Sequence, residues 1–315
     1  MRCLIREFGT EMSETEIILD APNPVRTTLR MLWRDKFAFC AAIFLCFIAF
    51  CAIFGPMFLE DVATKQNLRG RNAPPFDFSR PWYFWLGGDA LGRPLLARIM
   101  VAAQNTIMVA AGAVLCSLFI GTTLGLIAGY TSKLGSQVIM RMADVIMAFP
   151  SLLLAVIVLY VLPPSVFNLV IVLAITRIPI YLRTSRAEVL EIRERMFVQA
   201  AQVMGASSKR IIFRHILPVV LPTLVTIATL DFALVVLVES SLSFLGIGIQ
   251  PPEITWGLMV SQGRAYLTAA WWLSFWPGLA IILTTLSLNL LANWLRTALD
   301  PVQRWRLEAR ETSDE

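Results

Sequence analysis

An all-α membrane protein with about six transmembrane helices is what this 315-residue sequence predicts, on three observations. Hydrophobic residues make up 57% and charged residues 16%, with a mean hydropathy of +0.68, whereas soluble domains carry about 45–50% apolar and about 25% charged residues. The apolar residues fall in long uncharged runs rather than in amphipathic periods. The basic residues gather beside the ends of those runs, as in chains oriented by a membrane.

A spanning helix needs about 20 mainly apolar residues, and six stretches meet that need. Residues 1–36 are polar and charged, including Arg26, Arg30, Arg34 and Lys36, and read as a cytoplasmic amino-terminal segment with Met12 as an alternative start. Span one is 37–58, with Gly55-Pro56 near its far end; no small-residue cleavage site follows, so it reads as a retained anchor. A long external loop, 59–104, leads to span two at 105–130, which is free of charge. Span three is 138–162 and tolerates Arg141 and Asp144, one turn apart and suited to a local ion pair. Pro163-Pro164 then interrupts the apolar run and leaves 166–182 as a short fourth span. Spans five and six are 216–237 and 277–295, within a core of 105–298, and 299–315 is a cytoplasmic tail.

Orientation follows from basic residues near the span ends. Arg183, Arg186, Arg193, Arg195, Lys209, Arg210 and Arg214 between spans four and five fall on one side with Arg34, Lys36, Lys133, Arg141, Arg296, Arg304 and Arg306, which is therefore the cytoplasm. Lys65, Arg69, Arg71, Arg80, Arg93 and Arg98 in the external loop argue the other way, but most lie far from a span and weigh less. The net charge of +5 is spent at these membrane edges, not interleaved with exposed aromatics, so no nucleic-acid partner is expected.

Several residues are informative inside the spans. Gly121, Gly125 and Gly129 form a doubled G-x-x-x-G that lets helix backbones approach closely, within one subunit or between two. Asp231 and Glu239 lie two turns apart, within or at the end of span five; they admit a polar patch on the translocation path or structural acids paired with an arginine or a backbone amide, Glu239 alternatively just reaching the interface. Trp271, Trp272 and Trp276 suit an interfacial aromatic belt, and Asn289 and Asn293 suit bonds to neighbouring helices. Cys40, Cys46, Cys51 and Cys116 lie in apolar runs as small filler, Cys3 near the start, and no C-x-x-C pair exists. With His215 the only histidine, no metal site and no cofactor are expected.

The most informative segment is 183–214. Phe197, Val198, Ala200, Ala201, Val203 and Met204 give an apolar face to a helix starting near Glu188; Gly205 ends it, Ser207 can cap a second helix, and Pro218 marks the return to the membrane. This predicts a cytoplasmic helix-turn-helix between spans four and five. Gln199-Ala200-Ala201, Gly205 and His215-Ile216-Leu217-Pro218 resemble the "EAA" loop of bacterial ABC import permeases, E-A-A-x3-G-x9-I-x-L-P, with Gln199 in place of Glu and His215 in place of Ile. The resemblance extends over about 29–303. Leu86-Gly87-Gly88-Asp89-Ala90-Leu91-Gly92-Arg93, Ala148-Phe149-Pro150-Ser151, Glu239-Ser240-Ser241-Leu242-Ser243-Phe244-Leu245-Gly246, Gln250-Pro251-Pro252 with Trp256-Gly257, and Ala298-Leu299-Asp300-Pro301 are similar to the dipeptide, oligopeptide and nickel permease group.

That resemblance implies the type I ABC importer permease fold in a cytoplasmic inner membrane. It also implies a second homologous permease, two ATP-binding subunits and an external solute-binding protein as partners, besides membrane lipid. The coupling residues would be Gln199, Ala200, Ala201, Gly205, His215, Ile216, Leu217 and Pro218. The chain is not expected to be an enzyme: none of Lys36, Lys65, Lys133 and Lys209 sits in the G-x-x-x-x-G-K-[ST] loop that cradles phosphates. Peptides are the favoured cargo, with nickel or another small solute as the alternative. An ATP-independent secondary transporter is disfavoured because no half-to-half repeat is visible.

Overall fold

Each long apolar run becomes a helix, because in lipid the backbone must satisfy its own hydrogen bonds. The computed structural model describes residues 31–130 and 133–299. The expectations placed on Cys3, Met12, Arg26, Arg30, Asp300-Pro301, Arg304, Arg306 and the tail lie outside the described residues.

In chain order the helices are α1 (Lys36–Thr64), α2 (Leu95–Tyr130), α3 (Lys133–Met147), α4 (Ser151–Val161), α5 (Val166–Ile192), α6 (Met196–Val203), α7 (Ser208–Ile211), α8 (Leu217–Phe244), α9 (Trp256–Arg264) and α10 (Trp272–Leu299). Among the described residues there is no strand, only an isolated bridge between Gly88 and Pro94. Five stretches, Lys36–Thr64, Leu95–Tyr130, Val166–Ile192, Ser208–Phe244 and Trp272–Leu299, are long and apolar enough to cross a membrane; α3 with α4 makes a sixth if the bent pair is one span.

The helix α2 runs through the middle of the bundle, against α1, α5 and α8. Its glycines face α5: a Cβ on Gly121 would lie 2.6 Å from the Tyr181 Cβ, on Gly125 2.6 Å from the Ser185 Cβ, and on Gly129 2.6 Å from a Val189 methyl. The G-x-x-x-G motif thus joins two helices of one chain. Polar contacts reinforce the join, since the Ser185 hydroxyl donates to the Thr122 carbonyl at 3.3 Å and Arg193 Nη1 to the Gly129 carbonyl at 3.2 Å.

Several boundaries differ from the sequence expectation. Span two starts at Leu95 rather than 105, because Arg98 is only 3% exposed and neutralised by Asp89. Span three is not continuous over 138–162: α3 and α4 meet at 82°. Pro150 has no N–H and biases Phe149 away from helical geometry, so the chain turns there. Span four continues to Ile192 through Pro179, with Arg183 and Arg186 tied to α3. The partner of Asp144 is chiefly Arg183, at 2.6 Å, with Arg141 at 3.7 Å, so the acid joins α3 to α5 more than it serves a local pair.

Span six begins at Trp272, which is buried and donates from Nε1 to the Gly88 carbonyl at 3.4 Å. Trp276 packs edge-on against Phe76, so of the three tryptophans only Trp271 is exposed like a belt residue. The Asn289 amide donates to the Thr285 carbonyl of its own helix at 2.9 Å rather than to a neighbour, and the Asn293 carbonyl accepts from Thr297. Cys51 is buried filler, whereas Cys40, Cys46 and Cys116 are exposed.

The segment between α1 and α2 is held by two carboxylates. Asp77 accepts from the Ser79 hydroxyl at 2.5 Å and from Arg80 Nε at 2.9 Å, and these bonds hold its carboxyl below the usual range. Asp89 accepts from the Leu91 and Arg93 N–H groups at 2.9 and 2.7 Å, from Arg93 Nε at 2.7 Å, and from Arg98 Nη1. Arg80 thus contacts Asp77, and Arg93 and Arg98 share the single carboxylate of Asp89.

Candidate functional site

The segment between α5 and α8 is built on a small apolar core. Val198 and Ala201 of α6 pack with Val189, Ile192, Ile211, Ile216, Val220 and Leu224, all buried. The helix does not start near Glu188, because α5 carries the chain through that residue to Ile192; a turn closed by the Arg195 N–H on the Ile192 carbonyl (3.0 Å) precedes Met196. The loop expected at 183–214 is correspondingly shorter.

The other face of α6 is bare. Met196 is 85% exposed, Val203 89% and Met204 80%, and Phe197 and Ala200 are exposed beside them. The apolar face expected over 197–204 is thus split between an inward side at Val198 and Ala201 and an outward side carrying Ala200. Gln199 is exposed and donates from Nε2 to the Glu194 carbonyl at 3.2 Å. A glutamate has no such donor when ionised, so the Gln199 departure closes the turn before the helix.

Gly205 ends α6 with φ +79°. The Ala206 N–H reaches the Ala201 carbonyl and the Gly205 N–H the Gln202 carbonyl, both at 3.0 Å. This is the bond pair of a Schellman cap, which needs a left-handed residue at this point. No atom lies within 4 Å of where a Cβ would sit, so backbone conformation alone, not crowding, demands glycine.

Ser207 caps α7 as expected, its hydroxyl accepting the Arg210 N–H at 3.4 Å. The second helix does not stop before Pro218. A π turn over Ile212–Ile216 joins α7 to α8, with Ile216 buried, His215 and Leu217 half-buried and Pro218 exposed. Pro218 and Pro222 lack N–H groups, so the carbonyls one turn earlier lose their α-helical donors where the chain enters α8.

Asp231 and Glu239 of α8 are 3% and 0% exposed and serve different contacts. Asp231 lies 3.2 Å from Arg177 Nε and accepts from the Tyr181 hydroxyl at 3.1 Å, both on α5. Glu239 accepts from the Ser243 hydroxyl at 2.8 Å and the Ser240 hydroxyl at 3.3 Å. Arg177 and Tyr181 were not singled out from sequence. The available signal was a lone arginine in the apolar run 166–182, which in lipid needs a counter-charge.

The chain as a whole is similar to known proteins. Residues 121–305 match the family described as "Binding-protein-dependent transport system inner membrane component", and residues 23–75 match "N-terminal TM domain of oligopeptide transport permease C". The chain is 37% identical to the di/tripeptide transport system permease protein DppC of Pseudomonas aeruginosa, over 89% of this chain and 93% of the relative. It is 37% identical to the dipeptide transport system permease protein DppC of Alkalihalophilus pseudofirmus, over 89% and 91%. With the glutathione transport system permease protein GsiD of Pectobacterium atrosepticum it shares 39% identity over 69% and 72%.

Proposed function

The chain belongs to the family of inner-membrane components of binding-protein-dependent transport systems, and from that premise we propose that it is the permease subunit of an ABC importer for di- or oligopeptides. Cargo would arrive from an external binding protein, and a second homologous permease would complete the pore. ATP would be hydrolysed on two partner subunits bound at the end that carries α6, which is the cytoplasmic end.

The observation that carries the coupling role is the two-sided nature of α6. Its inner side, Val198 and Ala201, is locked onto the ends of α5 and α8, so a displacement of α6 is passed to those helices. Its outer side presents Met196, Phe197, Ala200, Val203 and Met204, apolar surface with no cover in this chain. Exposed apolar patches of this kind mark protein or membrane contacts, and α6 lies outside the candidate spans. A socket on the ATP-binding subunits fits it, with Arg195, Lys209 and Arg210 exposed alongside. Gln199, Gly205, His215, Ile216, Leu217 and Pro218 then act as frame: they set the turn before α6, the turn after it and the junction with α8.

ATP binding would draw the two partner subunits together and move α6 as a rigid lever, switching the bundle between two arrangements. The contacts of Asp231 with Arg177 and Tyr181 support a brace between α5 and α8 on that path. Those of Glu239 support a fixed point before α9.

Site-specific cross-linking tests the reading. In a cysteine-free background, Val203→Cys should cross-link to an ATP-binding subunit, whereas Leu68→Cys, exposed in the segment between α1 and α2, should not. Cross-linking at position 68 alone would reverse the orientation and remove the coupling role of α6. The purified chain by itself should hydrolyse no ATP.

A further inference from the structure

The turn around Asp89, the first turn of α2 and the end of α9 enclose a pocket of about 280 Å³, lined among others by Asp89, Arg93, Arg98, Gln262 and Tyr266. Its charge does not balance. Arg93 and Arg98 both lean on Asp89, and Asp89 is the only acid among the lining residues, which leaves one positive charge in excess.

The hydrogen bonds do not balance either. An ionised carboxylate offers about four acceptor sites. Those of Asp89 are taken by the Leu91 N–H, the Arg93 N–H, Arg93 Nε and Arg98 Nη1. Arg98 reaches Gln262 Oε1 from Nη2 at 3.4 Å, and its Nε is buried with no hydrogen-bond partner. That Nε is sealed from the pocket, but Arg93 lines the same pocket with its side chain 19% exposed and, of its guanidinium donors, only Nε bonded to Asp89. The Asp89 turn is held by the Gly88–Pro94 bridge and by Trp272 on the Gly88 carbonyl, so the arrangement is rigid rather than incidental.

We propose that this pocket is a carboxylate-binding site on the outward end of the chain. A carboxylate supplies the missing negative charge and two acceptor oxygens in the plane that guanidinium groups match. The volume is just below the usual range for ligand pockets, roughly 300–1,000 Å³, which suits a short peptide end or one acidic side chain. The carboxylate comes either from the terminus of the peptide cargo or from an acidic side chain of the docked binding protein. The assignment rests on the importer reading above, because that reading makes this end external.

The test uses the complete transporter in nanodiscs, with acetate, glycylglycine and glycylglycine amide as probes by saturation-transfer NMR. Acetate should bind the wild type and bind at least about tenfold more weakly to Arg93→Gln and to Gln262→Glu. Gln262 is exposed and its replacement supplies a carboxylate from within, so the variant fills the site without removing the Asp89–Arg98 pair. Glycylglycine that displaces acetate, when its amide does not, assigns the cargo terminus. Failure to displace, with binding-protein association weakened at least about tenfold in both variants, assigns the docked acid. Absent acetate binding, binding equal in wild type and both variants, or an acetate effect that touches neither glycylglycine nor the binding protein overturns the proposal. ATP-driven peptide uptake is measured separately in proteoliposomes. No uptake with acetate binding intact would strike the importer reading and leave the pocket standing.

Discussion

The face of α2 toward α5 and the outer face of α6 are both made of small and apolar residues, yet one is closed and the other bare. Between α2 and α5 there is no room for a single added carbon at Gly121, Gly125 or Gly129. On α6, Met196, Val203 and Met204 cover nothing in this chain. On the proposed reading, the difference separates what the chain completes alone from what it would leave for another subunit. Substitutions in the first region should therefore act on folding, and those in the second on assembly.

The largest effect is expected at Gly125. A Cβ there would meet the Ser185 Cβ at 2.6 Å and the Leu182 carbonyl oxygen at 2.7 Å, and the latter belongs to a helix backbone that cannot yield. Gly125→Val should cost about 3 kcal/mol or more by overpacking and sharply lower the yield of folded protein in the membrane. Fluorescence-detected size-exclusion of a tagged chain reads this directly. Normal yield and melting temperature would mean that α2 and α5 are not locked together.

Ala200→Asp should come next and act in the opposite manner. Ala200 is exposed in this chain, so the variant should insert and melt as the wild type does. A charge desolvated without a partner costs about 3 kcal/mol, roughly a hundredfold in affinity, so ATP-binding subunits should no longer co-purify. Ala200→Ser should retain them. Gly205→Val follows with a smaller loss. The left-handed backbone costs a non-glycine residue roughly 1–2 kcal/mol, about a tenfold loss of assembly and uptake. Gly205→Asn should recover most of it, because asparagine visits that conformation. Equal behaviour of the Val and Asn variants would show that the turn is not what shapes the docking element.

Much of this division was legible from sequence. The uncharged runs marked the spans because lipid excludes unpaired charge, and the 200–218 spacing marked the turn because only a few residue types close a helix and cap the next. Long-range charge pairing was not legible. Arg98 appeared to end a loop because its partner Asp89 lies before the helix, and Arg177 carried no visible link to Asp231, fifty-four residues on. Helix continuity also failed as a guide at prolines. Pro150 breaks a span, whereas Pro179 and Pro222 sit inside continuous helices. The inward and outward sides of α6 could not be told apart either, since both are apolar and only the packing of α5 and α8 selects one.

Asn289 offers the finest test of the comparison. It is exposed on α10, and its amide is committed only to the Thr285 carbonyl of the same helix. In lipid such a group keeps unused hydrogen-bonding capacity, which a facing helix can meet for an average of about 0.6 kcal/mol. If this face of α10 is bare in the same sense as α6, it awaits the second permease. Asn289→Leu should then reduce co-purification of that subunit by about threefold. Because the lost bond lies within one helix, the melting temperature of the isolated chain should not change. Recovery of the ATP-binding subunits per permease should not change either, since α6 is untouched. Full recovery of the second permease from the variant would place this side of α10 against lipid and restrict the bare surfaces to α6 and to faces other than this one.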